Sequence, residues 1–294
     1  MKNIAFIVNP ISGTRLKGRI TKLIRELLDP QQFSPTVVTT EYAGHATQLA
    51  QHFALEGYYA VVAVGGDGTV NEVATGLVGS KTALGIIPNG SGNGLARHLD
   101  ISTRMNRAIE MLNNSEAISV DYGMVNDKTF FSTCGTGFDA VVASQFNKGG
   151  TRGLGGYVHN IVDNIFQYTP DSYHIQADGI DFTTKALLIN VANANQWGYN
   201  AYIAPKASIQ DGWLDLVIID NSPLIAAAEL TFNYLSKHIH QEELQANILR
   251  VKEVVITRTN TTPIHIDGDP VEMPEELHFK IIEDGLKVLV KKRF

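Results

Sequence analysis

Val61-Val62-Ala63-Val64-Gly65-Gly66-Asp67-Gly68-Thr69-Val70-Asn71-Glu72-Val73 is the stretch that decides the fold. A β-branched apolar run stops at two glycines, an aspartate occupies the bend, and a helix begins at once. The pattern predicts a buried strand running into a helix. Thr69 with Glu72 three residues later reads as a capping box, Thr69 the N-cap and Glu72 at N3. A strand that ends in a glycine turn and feeds a helix aims backbone N–H groups at one spot, and that spot suits a phosphate. A lone Gly-Gly would be a plain turn. Asp67, the capped helix and a similar loop downstream favour phosphate binding.

To the N-terminal side, residues 3–8 form an apolar run of the kind buried on both faces of a sheet, and Asn9-Pro10-Ile11-Ser12-Gly13 breaks it. Leu16, Ile20, Leu23, Ile24, Leu27 and Leu28 make a helical stripe. Residues 36–40 read as a second strand and 46–55 as a helix. To the C-terminal side, residues 84–88 are a further strand, Asn89-Gly90-Ser91-Gly92-Asn93-Gly94 a second glycine-rich loop, and Leu95 starts a helix. This alternation predicts an α/β domain with a doubly wound, mostly parallel sheet over about the first 120 residues. Ligands of such sheets bind beyond the carboxyl ends of the strands. The loops at 9–13, 65–69 and 89–94 all lie at such ends, so they converge as a consequence of parallel strands.

The pattern changes after about Val120. Strand-like runs follow closely at 130–134, 173–177, 187–192, 214–219, 251–257 and 278–282, with helical stretches only at 157–168 and 224–237. A second, mainly antiparallel β-rich domain is expected. Residues 285–290 form a last strand whose domain the pattern leaves open. The glycine-dense stretch 149–156 reads as a mobile loop.

Bulk properties narrow the function classes. At 294 residues the length suggests two domains, and 44% hydrophobic with 18% charged residues is ordinary globular composition. The apolar runs are too short to cross a bilayer, and the first one is too short for a signal peptide. The single cysteine, Cys134, excludes an internal disulfide and fits a reducing compartment. A net charge of −6 without a basic block argues against a nucleic-acid partner. A nucleotide would have to rely on backbone donors and a metal ion.

Two motifs are decoys. Gly13 to Gly18 has P-loop glycine spacing, but Arg19 and Ile20 stand where lysine and a hydroxyl belong. Gly135-Thr136-Gly137-Phe138-Asp139-Ala140 fits a loose dinucleotide pattern outside any alternating series, so a tight structural turn is favoured. Alternation places Asp267 and, approximately, Asp269 of Asp267-Gly268-Asp269 on one side of a strand end. They read equally as a metal or proton-accepting pair and as a hairpin turn. Ser208 to Asp215 is a turn whose carboxylate and carbonyls suit a hard cation. The nine histidines and Cys134 show no zinc spacing, and no G-x-S-x-G elbow is present.

With these residues in hand, the chain resembles the diacylglycerol kinase and sphingosine kinase catalytic-domain family, in its bacterial soluble lipid kinase branch. The resemblance rests on 65–73, on Asn9-Pro10 with Ser12-Gly13, on Thr39-Thr40 with Gly44-His45-Ala46, on 88–97, on 135–139 and on 267–269, in family order across nearly the whole chain. It implies domains at 1–122 plus 285–294 and at 123–284, the second sandwich-like, with ATP and a lipid between them. It implies that Asn9, Thr39, Gly65, Gly66, Asp67, Gly68, Thr69, Val70, Asn71 and Ser91 line the nucleotide. Asp67 and Asp121 would sit at a catalytic Mg²⁺. The carbonyls of Ser208 and Trp213 with the Asp211 side chain would hold a structural Mg²⁺. Asp269 falls at the general-base position, a role that the sphingosine kinases assign to the residue matching Asp67.

Two departures stand out. Gly94 replaces an aspartate usual in the diacylglycerol kinase branch, and Asp269 replaces a glutamate. The expected function is therefore an ATP- and Mg²⁺-dependent lipid kinase acting on diacylglycerol or a related lipid, a sphingoid base included, in phospholipid biosynthesis. Such an enzyme would be cytoplasmic and peripheral at the inner membrane surface, touching the membrane transiently; a homodimer is left open. Lys291, Lys292 and Arg293 are candidates for that contact, though a solvated tail explains them as well. The rival readings are an NAD kinase-like enzyme and a non-catalytic nucleotide- or lipid-binding protein.

Overall fold

The computed structural model describes residues 1–10, 16–147, 168–219, 246–259 and 263–292. The chain divides into two compact units, Met1–Asp121 with Glu283–Phe294 and Tyr122–Ile282.

The first unit is α/β. Its elements are β1 (Lys2–Val8), α1 (Leu16–Leu27), β2 (Phe33–Thr39), α2 (His45–Leu55), β3 (Ala60–Gly65), α3 (Asp67–Leu77), β4 (Ala83–Pro88), α4 (Gly94–His98), α5 (Met105–Leu112) and the start of β5 (Ser115–Val125). The strands pair in parallel in the order β2-β1-β3-β4, and the second half of the chain's last strand runs parallel to β4, Val288 opposite Leu84. Ile4 to Val8 and Ala60 to Val64 are fully buried, as continuous apolar strands must be when helices cover both faces. Ile20 and Ile24 of α1, and Ala46, Ala50 and Phe53 of α2, supply the inner helix faces. The carboxyl ends are flush: Val8 pairs with Thr39 on one side and Val64 on the other, and Gly65 with Pro88.

The second unit is antiparallel. It comprises β6 (Lys128–Phe130), β7 (Thr133–Gly137), α6 (Phe138–Asn147), β8 (Asp171–Ala177), β9 (Ile180–Ala186), β10 (Leu188–Ala192), the small hairpin of β11 (Gln196–Gly198) and β12 (Ala201–Tyr202), β13 (Leu214–Ile219), β14 (Ala246–Val251), β15 (Glu253–Arg258), β16 (Ile264–Ile266), β17 (Asp269–Val271) and β18 (Glu276–Lys291). One sheet runs β18-β15-β8-β9 and another β14-β13-β10-β7-β16-β17. A single core draws on both, with Ile189, Val191, Leu216 and Ile218 meeting Tyr173, Ile175, Ile256 and Leu277. The alternate residues Leu188 and Ala192 turn the other way, against Phe138 and Val142 of α6.

Several expected boundaries differ. The run expected at 130–134 is split, because Phe131 and Ser132 leave the ladder between β6 and β7. The run at 251–257 is two strands, β14 and β15, in different sheets, parted at Lys252. The strand β9 went unrecognised, because threonines and charges on its exposed side hide the alternation. The runs at 278–282 and 285–290 are one strand of 16 residues, β18. The helices expected at 157–168 and 224–237, the stretch 149–156 and residues 11–13 lie wholly or almost wholly outside the described residues. No helix among the described residues is long and apolar enough to cross a membrane.

Candidate active site

The loops at the flush strand ends of the first unit are tied to one another by backbone. Asn9 N donates to Val64 O at 3.1 Å, Thr40 N to Val8 O at 3.0 Å, and Asn89 N to Gly65 O at 2.7 Å. Asn9 Nδ2 donates to Thr69 Oγ1 at 3.0 Å. Asn9, Gly65 and Thr69 are thus brought together, and a side chain at Gly65 would strike Thr69. A Cβ on Gly90 would lie 2.5 Å from the Gly66 Cα, so the two glycine loops pass in backbone contact. Only glycine permits that approach.

Helix α3 begins one residue beyond Gly66, which is its N-cap and makes no side-chain cap bond. The capping box expected from Thr69 and Glu72 is therefore not formed. Thr69 lies within the first turn, and its hydroxyl accepts from Asn9. Glu72 turns away from its own helix: its Oε1 accepts the Gly44 N–H at 2.9 Å and its Oε2 the Ala46 N–H at 3.1 Å. Glu72 thereby caps α2 and accounts for the Gly44-His45-Ala46 stretch. The first bond inside α3 is Val70 N to Gly66 O at 3.0 Å, so the amides of Gly68 and Thr69 have no acceptor within the helix. They point out at its N-terminus, where an anion is favoured.

Asp67 bridges the two glycine loops. Its Oδ2 accepts the Asn93 N–H and its Oδ1 the Gly94 N–H, both at 2.8 Å. Asn93 sits in the left-handed region at φ 55, and its side-chain amide bonds Gly90 N at 3.2 Å and Gly90 O at 2.9 Å. Arg97 Nε closes the loop on Gly92 O at 3.0 Å. Asn93 and Arg97 were missed as site residues. An asparagine inside a glycine-rich loop is the signal that marks the left-handed position. Ser91 is exposed on the loop, and Gly68 and Asn71 are half-buried on the first two turns of α3, while Val70 is buried there. Thr39 ends β2 half-buried. Asp121 is buried on β5, its Oδ1 accepting the Asp284 N–H at 2.8 Å. Among the described residues no three His, Cys, Asp or Glu side chains form a group that could hold a metal ion.

In the second unit Asp267 and Gly268 link β16 to β17 with positive φ, 49 and 88, as a two-residue hairpin requires. The two aspartates of this hairpin do not act as a pair. Asp267 accepts the backbone N–H groups of Phe131 (3.0 Å), Ser132 (2.7 Å) and Thr133 (3.1 Å). The break between β6 and β7 supplies those amides. Asp269 is exposed at the start of β17.

The 135–140 stretch is a strand-to-helix turn, Gly137 at φ 100, and it carries a polar lock that sequence reasoning did not find. Gly135 lies between Asn190 and His265 in the sheet. Over it, Asp139 Oδ2 lies 3.0 Å from His265 Nε2 and accepts from Asn190 Nδ2 at 3.1 Å, all buried. Cys134 alongside is buried, and its thiol is pushed well up by burial and then by the nearby Asp267 and Asp139.

At the 208–213 turn, Trp213 N donates to Asp211 Oδ1 at 3.2 Å, and Asp211 Oδ2 is ion-paired with Arg250. Both oxygens of the expected structural metal ligand are engaged, one of them by a cation, so the set does not fit a metal ion as it stands. Next to it, burial raises the Asp215 carboxyl, and Arg250 opposes that shift.

Comparison with known proteins bears on this arrangement. Residues 3–125 match the diacylglycerol kinase catalytic domain, and 132–290 match the YegS C-terminal NAD kinase beta sandwich-like domain. The chain belongs to the family of the YegS C-terminal NAD kinase beta sandwich-like domain, whose model spans more than half of it, and carries a diacylglycerol kinase catalytic domain ahead of that domain. A protein named diacylglycerol kinase from Staphylococcus carnosus is 25% identical over 272 residues, 91% of this chain and 89% of that one. A Citrobacter koseri protein named "Probable lipid kinase YegS-like" is 29% identical over 256 residues, 84% and 80% of the two chains. A solved diacylglycerol kinase structure from Bacillus anthracis shares the fold with TM-score 0.74 at 20% identity, covering 98% of this chain and 97% of that one. An ATP complex of an NAD kinase from Archaeoglobus fulgidus shares it more loosely, TM-score 0.51 at 12% identity, with 98% and 93% covered. Family membership makes this a lipid kinase family protein with the two-part architecture expected above.

Proposed function

We propose that the protein is an ATP- and Mg²⁺-dependent kinase that phosphorylates the hydroxyl of diacylglycerol or a related lipid, with a sphingoid base as the other acceptor class. The observation that carries this reading is the pair of glycine loops in backbone contact at flush strand ends, bridged by Asp67. Loop amides and the start of α3 form a ready cradle for a polyphosphate. The names of the relatives from Staphylococcus and Citrobacter supply the acceptor class.

Phosphoryl transfer depends mainly on positioning and on neutralising charge. Asn9, Gly65 to Asn71 and Ser91 would line the nucleotide, with Thr39 at the neighbouring strand end. Asp67 and Asp121 fit a hard cation by ligand type, since a carboxylate oxygen bound to one amide keeps a second lone pair. Bound there, Mg²⁺ would supply neutralising charge for the phosphates. Asp269, exposed at the start of β17 beside the turn that Asp267 anchors, would accept the hydroxyl proton, the role that the resemblance gives its position, with Asp67 as the other candidate. The lipid remains in a bilayer, so the protein works by transient peripheral contact at the cytoplasmic face.

The deciding experiment offers labelled ATP and Mg²⁺ with diacylglycerol, sphingoid base, ceramide and NAD in parallel, to wild type and Asp269→Asn. Lipid transfer by the wild type, lost in the variant, is the expected result. Transfer to NAD would make the protein a soluble-substrate kinase, and binding without turnover a non-catalytic one. Full lipid turnover by Asp269→Asn would return the base role to Asp67.

A further inference from the structure

We propose that the Arg250 guanidinium takes the place of the structural cation at the 208–213 turn, so that this turn folds without a bound metal ion. The turn brings Asp211 over the start of β13, and Asp211 holds the turn closed through Oδ1 and the Trp213 amide. Its other oxygen has a positive partner. Arg250 supplies it from the adjacent strand, where Arg250 pairs with Asp215 in the antiparallel register of β13 and β14. The strand pairing therefore presents the guanidinium to the turn without any ordering of a loop.

Trp213 fixes the guanidinium further. Arg250 Cζ and Lys252 Nζ each lie 5.4 Å from the indole ring centroid, a distance at which a cation is attracted to the ring. Two cations thus meet the Asp211 carboxylate of the turn and the buried Asp215 carboxylate beside it, so the negative charge there is already matched. A divalent ion at that carboxylate would sit against Arg250 at contact range, where like charges repel strongly even at a protein surface. Arginine suits the post, because its planar fork serves a carboxylate and a ring face at once. The inference is independent of which lipid, or which substrate, the protein phosphorylates.

The test is thermal unfolding of the full chain without nucleotide, in EDTA and in millimolar Mg²⁺, for wild type, Asp211→Asn, Arg250→Gln and the double variant. Wild type and Asp211→Asn are expected to respond to Mg²⁺ identically, because the turn takes no ion in either. Arg250→Gln is expected to lose about 2–4 °C in EDTA, as a surface ion pair of about 1 kcal/mol implies for a chain of this size. It should regain part of that loss with Mg²⁺, and the double variant should not. A Mg²⁺ stabilisation of wild type that Asp211→Asn removes would overturn the proposal. So would an Arg250→Gln protein that gains no Mg²⁺ response dependent on Asp211. The comparison of wild type with Asp211→Asn stands even if the Arg250 variants do not fold.

Discussion

Asp67 Oδ1 accepts the backbone N–H of Gly94 at 2.8 Å, across 27 residues of chain. With the matching bond from Asn93, this joins the two glycine loops into one unit and gives α4 its anion. The residue at 94 is a glycine, and it contributes its backbone amide to this bridge.

Asp67→Asn turns one of the two acceptor oxygens into a donor facing an amide. The expected cost is about 1–3 kcal/mol in denaturant unfolding, together with a fall in turnover of about 10²-fold or more, because the loops that hold the phosphates separate. Unchanged turnover with unchanged stability would show that the loops keep their shape without this bridge.

Glu72→Ala should behave differently. It removes the cap of α2 and leaves the Gly44 and Ala46 amides to water, at about 1–2 kcal/mol. Turnover per folded molecule should persist, because Glu72 touches the helix start and not the glycine loops. A loss of kcat larger than the loss of folded protein would assign Glu72 a place in the chemistry.

The two aspartates of the hairpin should separate cleanly. Asp267→Ala strands three backbone amides, and its expected effect is on stability, about 2–4 kcal/mol. Asp269→Asn alters an exposed side chain, so its melting temperature should stay near wild type while kcat collapses. Equal effects of the two variants on melting temperature would contradict the anchoring role of Asp267.

Asp215 makes stability depend on pH in one identifiable window. Its carboxyl is raised in the native protein, chiefly by burial, so between the ordinary carboxylate value and the raised one the native state binds more protons than the unfolded chain. Stability therefore falls as pH rises through that window, and the penalty is fully present above it. Asp215→Asn should raise the melting temperature near pH 7 and lose that advantage below about pH 4. A constant difference at all pH values would show that Asp215 is not the group responsible.

Much of the first unit was legible in the chain. The continuous apolar runs at Ile4 to Val8 and Ala60 to Val64, each followed by a glycine-marked break, specify parallel strands and loops at their carboxyl ends. Less of the second unit was legible. Apolar alternation across 251–257 carries no mark of the change of sheet at Lys252, and β9 hides behind polar residues on its outer face.

Taken alone, the sequence determined the α/β class of the N-terminal part, the place where its loops gather, and the motif set of the family. These follow from local period and from residue types that leave the backbone one choice. Tertiary structure alone decided which partner each acidic side chain serves. Glu72 caps a helix 28 residues away from it, and Asp267 anchors to amides some 135 residues away. A capping oxygen binds whichever N–H the fold brings within reach, so spacing along the chain could suggest a cap for Glu72 but could not name the helix that it holds.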